Sequence, residues 1–355
     1  MLKVLITCVC LLGSTYGVMA HATSVVFLNP GLSNETYWVS YAQFMQAAAK
    51  DLGLDLRVRY SERDNANTLS QAREALQGRE RPDYLVLSNE QYAAPQVMRM
   101  AEGSGVKLLL VNSALTPDQE QMMGARRGIN VIGSLVADDE QAGYLMLTDL
   151  LRQHGPVAPG QSLDLLAFSG IKTTPVALLR EQGMRRALAE HPEVRLRQLV
   201  YGEWSRERAF EQATQIFKRY PQTTLVWSAN DQMALGAMQA LQDSGRVPGK
   251  DALFSAVNSS PEILQARLDG RLSSLVAGHF TMGGWAMVLI HDDAKGLNIG
   301  AFGGLRRQED VFQLITPAQA RRLLGPMPSA NFRALSAQGK PASYRYPFSL
   351  RLLLR

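Results

Sequence analysis

The sequence predicts an α/β protein of two doubly wound lobes, each built on a parallel sheet, joined by a hinge. The chain has 355 residues, enough for two domains of roughly 100–200 residues each. Apolar residues make up 46% and charged residues 19%, a balance typical of a packed globular protein. Short apolar runs alternate with amphipathic helical stretches, and the alternation restarts after residues 134–138. This pattern is typical of parallel sheets covered by helices on both faces.

The first half of the chain contains four apolar runs of strand length separated by helical stretches. The predicted strands are residues 24–29, 54–60, 84–87 and 106–111. Apolar residues at helical spacing predict helices over residues 37–52, 68–77 and 95–103. Gly53 follows the first of these helices and is expected to end it as a C-cap residue.

The second half repeats this order of elements. The predicted helices are residues 139–154, 177–190, 207–220 and 231–244, and the predicted strands are residues 163–168, 196–201, 224–227 and 252–257. Beyond them we expect a helix over 263–269, a strand over 273–277 and a helix over 283–294. No clear periodicity is visible after Gly325.

The N-terminal residues predict a signal peptide over residues 1–22. A positively charged start is followed by an apolar run over residues 4–12 and by small residues that suit cleavage after Ala22, or alternatively after Ala20. The apolar run is too short to span a bilayer, which needs about 20 such residues. The alternative interpretation is a cytosolic N-terminal strand. We expect an exported, soluble protein in the periplasm.

Both cysteines of the chain, Cys8 and Cys10, lie within the predicted signal peptide. The mature chain is therefore expected to contain no disulfide, no cysteine-ligated zinc and no cysteine nucleophile. Lipid attachment at Cys8 is a second alternative, but only seven residues precede it.

Enzyme signals are weak in this sequence. It contains no Walker A motif, dinucleotide-binding glycine fingerprint, GxSxG elbow or HExxH motif. The run His291-Asp292-Asp293 on a predicted helix favours a solvated face over a metal site. The net charge of +5 is not organised as a basic stripe with interleaved aromatics, so no nucleic-acid partner is indicated. We expect a protein that is not an enzyme and needs no cofactor or metal.

Ligands of open α/β sheets bind outside the carboxyl ends of the strands. The loops at these ends are residues 29–38, 88–92, 112–116, 169–175, 202–205, 228–231 and 258–261. Two lobes that face each other with these ends would form a cleft that closes around a ligand by a hinge motion.

The segment WSANDQMALGA, residues 227–237, resembles the NDxMALGA segment of type I periplasmic binding proteins, the ribose- and galactose-binding group. LacI-type repressors contain the same module, but here a signal peptide is predicted and no N-terminal helix-turn-helix is found. The resemblance covers about residues 24–320, and other matching segments are residues 138–143, 180–184, 240–245, 261–264 and 268–272.

The resemblance implies two lobes that each contain two pieces of the chain. The expected first lobe is residues 23–136 plus 280–312, and the second is residues 137–279 plus 313–325. Residues 326–355 form a basic C-terminal tail with no acidic residue after Asp310. We expect this tail to be solvated or to dock on a partner, and not to line the cleft.

The resemblance also implies a small polar ligand, usually a sugar, that is held between aromatic rings and hydrogen-bonded by polar side chains. Aromatic faces stack on the C–H faces of sugars, and planar amides reach pairs of hydroxyls. The candidate ligand-binding residues are Asn34, Tyr37, Trp38, Ser88, Asn89, Asn112, Arg180, Trp204, Asn230, Asn258 and His279.

Several of these candidates have a structural alternative. Tyr37 and Trp38 could pack a helix onto the core, and Trp204 could be a spacer between the lobes. Asp231, next to Asn230, is expected to N-cap the following helix. His279 fits the cleft and the core equally well.

The sequence departs from the family pattern at three places. Leu178 stands where the family usually has an arginine, although Arg180 is nearby. Asn112 and Ser113 replace an Asp-Arg pair, and Asn258 replaces a carboxylate. These departures predict a neutral, amide-lined cleft.

The leading functional hypothesis is a periplasmic solute-binding protein that delivers a sugar-like ligand to an ABC permease of the inner membrane. The alternative is a sensory binding protein that reports ligand occupancy to a membrane receptor such as a histidine kinase. Both would use the same closed cleft. An exported enzyme is the least favoured hypothesis.

Overall fold

The computed structural model describes residues 22–124, 128–326 and 330–354. Almost all of the predicted signal peptide, residues 1–21, lies outside these ranges. Within them, no helix combines the length and the apolar character needed to cross a membrane.

Two six-stranded sheets form the centres of two lobes, which confirms the predicted fold class. The first sheet has the order β11-β5-β4-β3-β1-β2 and the second has the order β12-β10-β9-β8-β6-β7. All neighbouring strands pair in parallel except β10 and β12. The strands of the first lobe are β1 (Ser24–Asn29), β2 (Asp55–Tyr60), β3 (Tyr84–Leu87), β4 (Lys107–Val111), β5 (Asn130–Ala137) and β11 (Arg306–Glu309). Those of the second are β6 (Leu163–Ser169), β7 (Val194–Tyr201), β8 (Leu225–Ser228), β9 (Leu253–Val257), β10 (Ser274–Ala277) and β12 (Gln313–Leu314).

Helices cover both faces of each sheet. The first lobe contains α1 (Thr36–Leu52), α2 (Asn65–Gln77), α3 (Ala94–Ala101), α4 (Pro117–Met123) and α10 (Met282–Ala294). The second contains α5 (Asp139–His154), α6 (Pro175–Glu190), α7 (Arg206–Arg219), α8 (Asp231–Asp243), α9 (Pro261–Leu268) and α11 (Pro317–Leu323). The strands β1, β3 and β8 are fully buried, as the continuous apolar runs in the sequence predict.

The chain crosses between the lobes after β5, after β10 and between β11 and β12. These strands lie at or next to one edge of their sheets, so the three crossings form a hinge at that edge. The edge strands β2 and β7 lie at the other ends of the two sheets. The loops that follow β2 and β7 are therefore far from the hinge, at the mouth of the space between the lobes.

Residues 330–354, here called the C-terminal segment, pack against the first lobe. The ring of Phe332 lies 5.3 Å from that of Phe44 and 5.9 Å from that of Trp285. Other buried apolar side chains of the segment are Leu335, Tyr346, Phe348, Leu350 and Leu353. The expectation of a solvated tail is therefore wrong for the described residues, because apolar side chains are interspersed among the basic ones and face inward.

The carboxylate of Asp292 fixes the C-terminal segment to α10. Asp292 is 0% exposed. It accepts hydrogen bonds from the backbone N–H of Ala337 at 2.6 Å, from the Tyr346 hydroxyl at 2.8 Å and from the Ser336 hydroxyl. A buried carboxylate needs such donors, because leaving it without them would be costly.

The prediction of a solvated face at His291-Asp292-Asp293 is thus wrong for Asp292. Asp293 is also engaged, since it accepts a hydrogen bond from the Lys107 ammonium at 2.6 Å. In the described part of the chain, no group of three or more His, Cys, Asp or Glu residues could hold a metal ion.

Candidate ligand-binding site

A cavity lies between the lobes at the carboxyl ends of both sheets. Its empty volume is about 360 Å³, including the part that opens to solvent. The lining residues are Glu35, Tyr37, Trp38, Arg63, Glu90, Asn112, Thr174, Val176, Arg180, Trp204, Asn230, Asn258 and His279.

The first turn of α1 supplies an aromatic wall from the first lobe. The rings of Tyr37 and Trp38 meet edge to face with centroids 4.9 Å apart, and the Tyr37 hydroxyl donates a hydrogen bond to Asn112 Oδ1 at 2.9 Å. Trp38 lies directly on Gly31, where a Cβ atom would come within 2.1 Å of Trp38 Cδ1. Trp38 is also buried in the core, so it both packs the helix and lines the cavity.

In the second lobe, too, a tryptophan packs directly on a glycine, in the loop after β7. Trp204 lies on Gly170, where a Cβ atom would come within 2.0 Å of Trp204 Cζ2. Its indole N–H is buried and has no hydrogen-bond partner in the described structure. Because a buried donor without a partner is costly, this N–H is available for a ligand.

The backbone is strained at several positions of the cavity wall. Arg63, Asn112, Trp204 and Asn258 have φ angles of 55°, 63°, 67° and 110°, which are unusual for residues other than glycine. Such strain costs on the order of 1–3 kcal/mol per residue and is concentrated at functional sites in proteins. Each of these residues follows the carboxyl end of a different strand.

Arg180 brings a buried positive charge to the second lobe's wall. Its Nε donates a hydrogen bond to Asp139 Oδ1 at 2.8 Å, and its Nη1 donates to the Ala229 carbonyl at 2.7 Å. The guanidinium carbon lies 5.9 Å from the centre of the Trp204 ring. Burial raises the pKa of the Asp139 carboxyl to about 6, and the Arg180 guanidinium opposes this shift.

The two asparagines of the second lobe are held in place by neighbouring residues. Asn230, not Asp231, is the N-cap of α8, and its Oδ1 accepts from the Met233 N–H at 2.9 Å. The prediction that Asp231 is the cap is therefore wrong. Asp231 is the first residue of the helix, and its Oδ1 accepts from Asn258 Nδ2 at 2.8 Å.

His279 lies at the second crossing between the lobes and faces the cavity. Its ring stacks on Tyr37 with centroids 4.4 Å apart and an interplanar angle of 19°. Neither ring nitrogen has a hydrogen-bond partner among the described residues. Burial lowers the pKa of His279 well below its usual value, and Arg180 lowers it further. The imidazole is thus neutral and offers one donor and one acceptor to a ligand.

The lowered pKa of His279 predicts that the contribution of this residue to folding stability falls as the pH falls from 7 to 5. Below about pH 6.5 the unfolded chain binds a proton at this residue and the folded chain does not. The loss in the free energy of unfolding caused by His279 therefore approaches about 1.4 kcal/mol for each pH unit. Glu90 and Asp139 have raised pKa values, so their contributions to folding stability rise as the pH falls. Comparing urea unfolding of the wild type and of His279→Gln at pH 5, 6 and 7 isolates the contribution of the histidine from those of the carboxyl groups. Parallel stability profiles would contradict this assignment.

The cavity wall also contains charged residues that the sequence-based prediction omits. Arg63 follows β2 and lies between the carboxylates of Glu35 and Glu90. The expectation of a neutral, amide-lined cleft is therefore wrong, although each arginine is paired with a carboxylate. The rule that ligands bind at strand carboxyl ends applies to residues 61–64 as well, and it could have found Arg63.

The structure does not bring three candidates to the cavity. Asn34 is exposed and Ser88 is buried elsewhere. Asn89 is fully buried, and its Nδ2 donates to the Ala114 carbonyl at 2.9 Å and to Gln119 Oε1 at 2.7 Å. These bonds turn the amide towards α4 and away from the cavity. The other candidates, Tyr37, Trp38, Asn112, Arg180, Trp204, Asn230, Asn258 and His279, all line it.

Comparison with known proteins agrees with this architecture. Residues 25–297 match the family model described as a periplasmic binding protein domain. The ribose import binding protein of Escherichia coli is 23% identical over 266 residues, which cover 75% of this chain and 83% of that protein. The galactofuranose-binding protein of the same organism is 27% identical over 120 residues, which cover 33% of this chain and 38% of that protein.

A solved structure is similar over nearly the whole chain. The periplasmic sugar-binding protein from Pseudomonas fluorescens is 64% identical, with a TM-score of 0.88, and the match covers 94% of this chain and all of that one. These relatives are described as binding proteins and not as enzymes. The chain belongs to the periplasmic binding protein family of type I.

Proposed function

We propose that this protein captures a neutral monosaccharide between its lobes in the periplasm and delivers it to an ABC importer of the inner membrane. The observation that carries the proposal is the cavity itself. Aromatic rings flank it on both lobes, and the unpartnered polar atoms of Trp204 and His279 point to a ligand rich in hydroxyl groups.

The charges of the cavity support a neutral ligand. Arg180 is paired with Asp139, and Arg63 is paired with two glutamates. An anionic sugar would meet the two glutamates, which share one arginine and leave no unpaired positive charge, and a cationic sugar would meet the two arginines. The ribose and galactofuranose named for the relatives are neutral sugars.

Delivery to an importer is favoured over the sensory alternative. The ribose-binding relative is described as an import protein, and an arabinose-binding neighbour is described as a component of an ABC transporter. The predicted signal peptide supports a periplasmic location. Loss of uptake of the identified sugar in a strain that lacks this protein would test the role in import.

Substitution of Trp204 by alanine is expected to weaken sugar binding by about 1–3 kcal/mol, because it removes the stacking surface of the second lobe. Isothermal titration calorimetry with ribose, arabinose, galactose, allose and xylitol identifies the ligand, and we expect one site per chain. Tyr92→Ala, at an exposed aromatic residue outside this cavity, is the matched control. Wild-type affinity in Trp204→Ala would exclude this cavity as the sugar site.

A further inference from the structure

The C-terminal segment contacts both lobes. It follows α11 of the second lobe, packs on α1 and α10 of the first, and contacts the second lobe again with its last residues. The connection from α11 to the segment therefore crosses between the lobes, in addition to the three crossings of the hinge. An element that packs on two bodies restricts their relative rotation, because rotation separates it from one of them.

Hydrogen bonds and stacked rings fix the segment to the first lobe. Asp51 of α1 accepts a hydrogen bond from the backbone N–H of Phe332 at 3.0 Å. The ring of Phe348 stacks on that of Trp285 of α10, with centroids 5.4 Å apart and an interplanar angle of 10°. Between these two anchors, the Asp292 carboxylate of α10 holds the chain by the hydrogen bonds described above. The segment is therefore expected to move with the first lobe when the lobes rotate.

The last residues of the segment are bonded to the second lobe at two places. Gln313 Nε2 of β12 donates to Ser349 Oγ at 3.4 Å. Arg322 of α11 donates to the carbonyl of Leu354. Each bond joins a residue that is anchored to the first lobe with an element of the second lobe. Both bonds therefore depend on the relative position of the two lobes.

Leu350, which lies between these two bonds along the chain, packs against the hinge itself. Its side chain is 0% exposed. Gly278, at the crossing after β10, has a φ angle of 140°, and a Cβ atom there would come within 1.9 Å of the Val311 carbonyl oxygen and 3.5 Å of Leu350 Cβ. Val311 belongs to the crossing between β11 and β12. Because hinge motion changes backbone angles at such crossings, rotation of the lobes would disturb the packing of Leu350.

We propose that the C-terminal segment is a strap across the hinge, which favours the closed arrangement of the lobes and limits how far they open without ligand. The lobes of this structure are closed, since Thr174 Oγ1 of the second lobe donates to Glu90 Oε1 of the first at 3.3 Å. The contacts of Ser349, Leu350 and Leu354 with the second lobe and the hinge belong to this arrangement. A larger closed fraction raises the apparent affinity for any ligand that binds the closed lobes. The inference goes beyond the proposed function, because it does not depend on the class of ligand.

The test measures the distance between the lobes in the ligand-free protein. Spin labels are attached at Ala66→Cys of α2 and Glu211→Cys of α7, two exposed positions on the first and second lobes. No cysteine follows Cys10 in the sequence, so the chain without its predicted signal peptide is labelled at these two positions alone. Double electron–electron resonance then gives the distribution of distances, and with it the closed and open fractions.

Two variants weaken the strap, and both leave its anchors on the first lobe intact. The double variant Gln313→Ala and Arg322→Ala removes the two side-chain donors of the second lobe. The variant Leu350→Ala keeps these donors and removes the packing against the hinge. Arg321→Ala, at an exposed basic residue of the same helix as Arg322, is the matched control. Circular dichroism confirms that each variant is folded.

For the ligand-free wild type, we expect a distribution dominated by the distance of the closed lobes. The double variant should lower the ratio of closed to open molecules about tenfold, because two hydrogen bonds of average strength are lost. Leu350→Ala should shift the ratio in the same direction. In each variant the dissociation constant of the sugar should rise by the factor by which the closed fraction falls. Arg321→Ala should match the wild type in both measurements.

Distance distributions equal to that of the wild type in both strap variants would overturn the inference. The same opening in Arg321→Ala would overturn it as well, since the effect would then come from the loss of positive charge. The distances are measured without ligand, so they test the strap even if no sugar binds. Absence of sugar binding would overturn the proposed function and leave the strap in place.

Discussion

Deletion of residues 330–355 is expected to leave the protein unfolded or barely folded at 25 °C. The C-terminal segment buries a series of large apolar side chains against α1 and α10. Each contributes roughly 1.5–3 kcal/mol, so together they approach the whole stability of a typical domain, about 5–15 kcal/mol. Circular dichroism and urea unfolding of the deletion variant measure the loss. A wild-type unfolding midpoint would contradict the packing described here.

A single substitution tests the same packing in a protein that still folds. Phe332→Ala should lower the free energy of unfolding by about 3–5 kcal/mol, because it leaves a cavity between two aromatic rings. The matched control is the double variant Lys340→Gln and Arg351→Gln, which replaces two exposed basic residues of the same segment. The control should unfold like the wild type, which would assign the effect to burial and not to positive charge.

The segment also touches the second lobe. Arg322 of α11 donates a hydrogen bond to the carbonyl of Leu354, and Gln313 Nε2 donates to Ser349 Oγ at 3.4 Å. The segment thus begins after α11, packs on the first lobe and returns to α11. The composition of the segment did not predict this path, because a run of basic residues without acidic ones suggests a solvated tail. Only the tertiary structure shows which of its side chains are buried.

The order of strands and helices was predictable because buried parallel strands are continuous apolar runs and the helices are amphipathic. The strands that were not predicted, β5, β11 and β12, lack a continuous apolar run. In β11, the residues Arg306 to Glu309 are all polar, since the strand lies at the edge of its sheet. In β5, buried and partly exposed residues alternate towards the hinge.

Asn89 and Asn230 occupy equivalent positions in the two lobes, yet only Asn230 lines the cavity. Each follows the corresponding strand of its lobe, and each accepts a hydrogen bond from the start of the following helix. A short 3-10 turn at Glu90–Tyr92 separates Asn89 from α3, whereas Asn230 leads directly into α8. Because of this turn, Glu90 and not Asn89 lies in the cavity wall. Nothing in the local sequence predicts which of these two neighbouring residues lines the cavity.

The ion pairs of Arg63 with Glu35 and Glu90 could not be predicted from the sequence for a related reason. Glu35 precedes α1, Arg63 follows β2, and Glu90 follows β3. Ion pairs between three separate elements depend on the order of strands in the sheet and not on spacing along the chain. Tyr37 and Arg180, by contrast, belong to segments whose sequences resemble the family pattern.

Arg180→Ala is expected to abolish measurable sugar binding and to lower the free energy of unfolding by about 3–5 kcal/mol, because it leaves Asp139 buried without its partner. The double variant Arg180→Met with Asp139→Leu separates these effects. Replacing both charges by apolar side chains of similar size should restore much of the stability, but the cavity would still lack its guanidinium donor. Calorimetry and urea unfolding of both variants measure the two quantities.

The matched control is Arg186→Ala, on the same helix as Arg180, which breaks the partly exposed ion pair of Arg186 with Glu140 of α5. Such pairs contribute about 0–1 kcal/mol, so both sugar binding and stability should stay near the wild-type values. If the double variant binds the sugar as tightly as the wild type, Arg180 only supports the fold. If it is stable but does not bind, the guanidinium contacts the ligand, and the buried Asp139 is the residue that holds it in position.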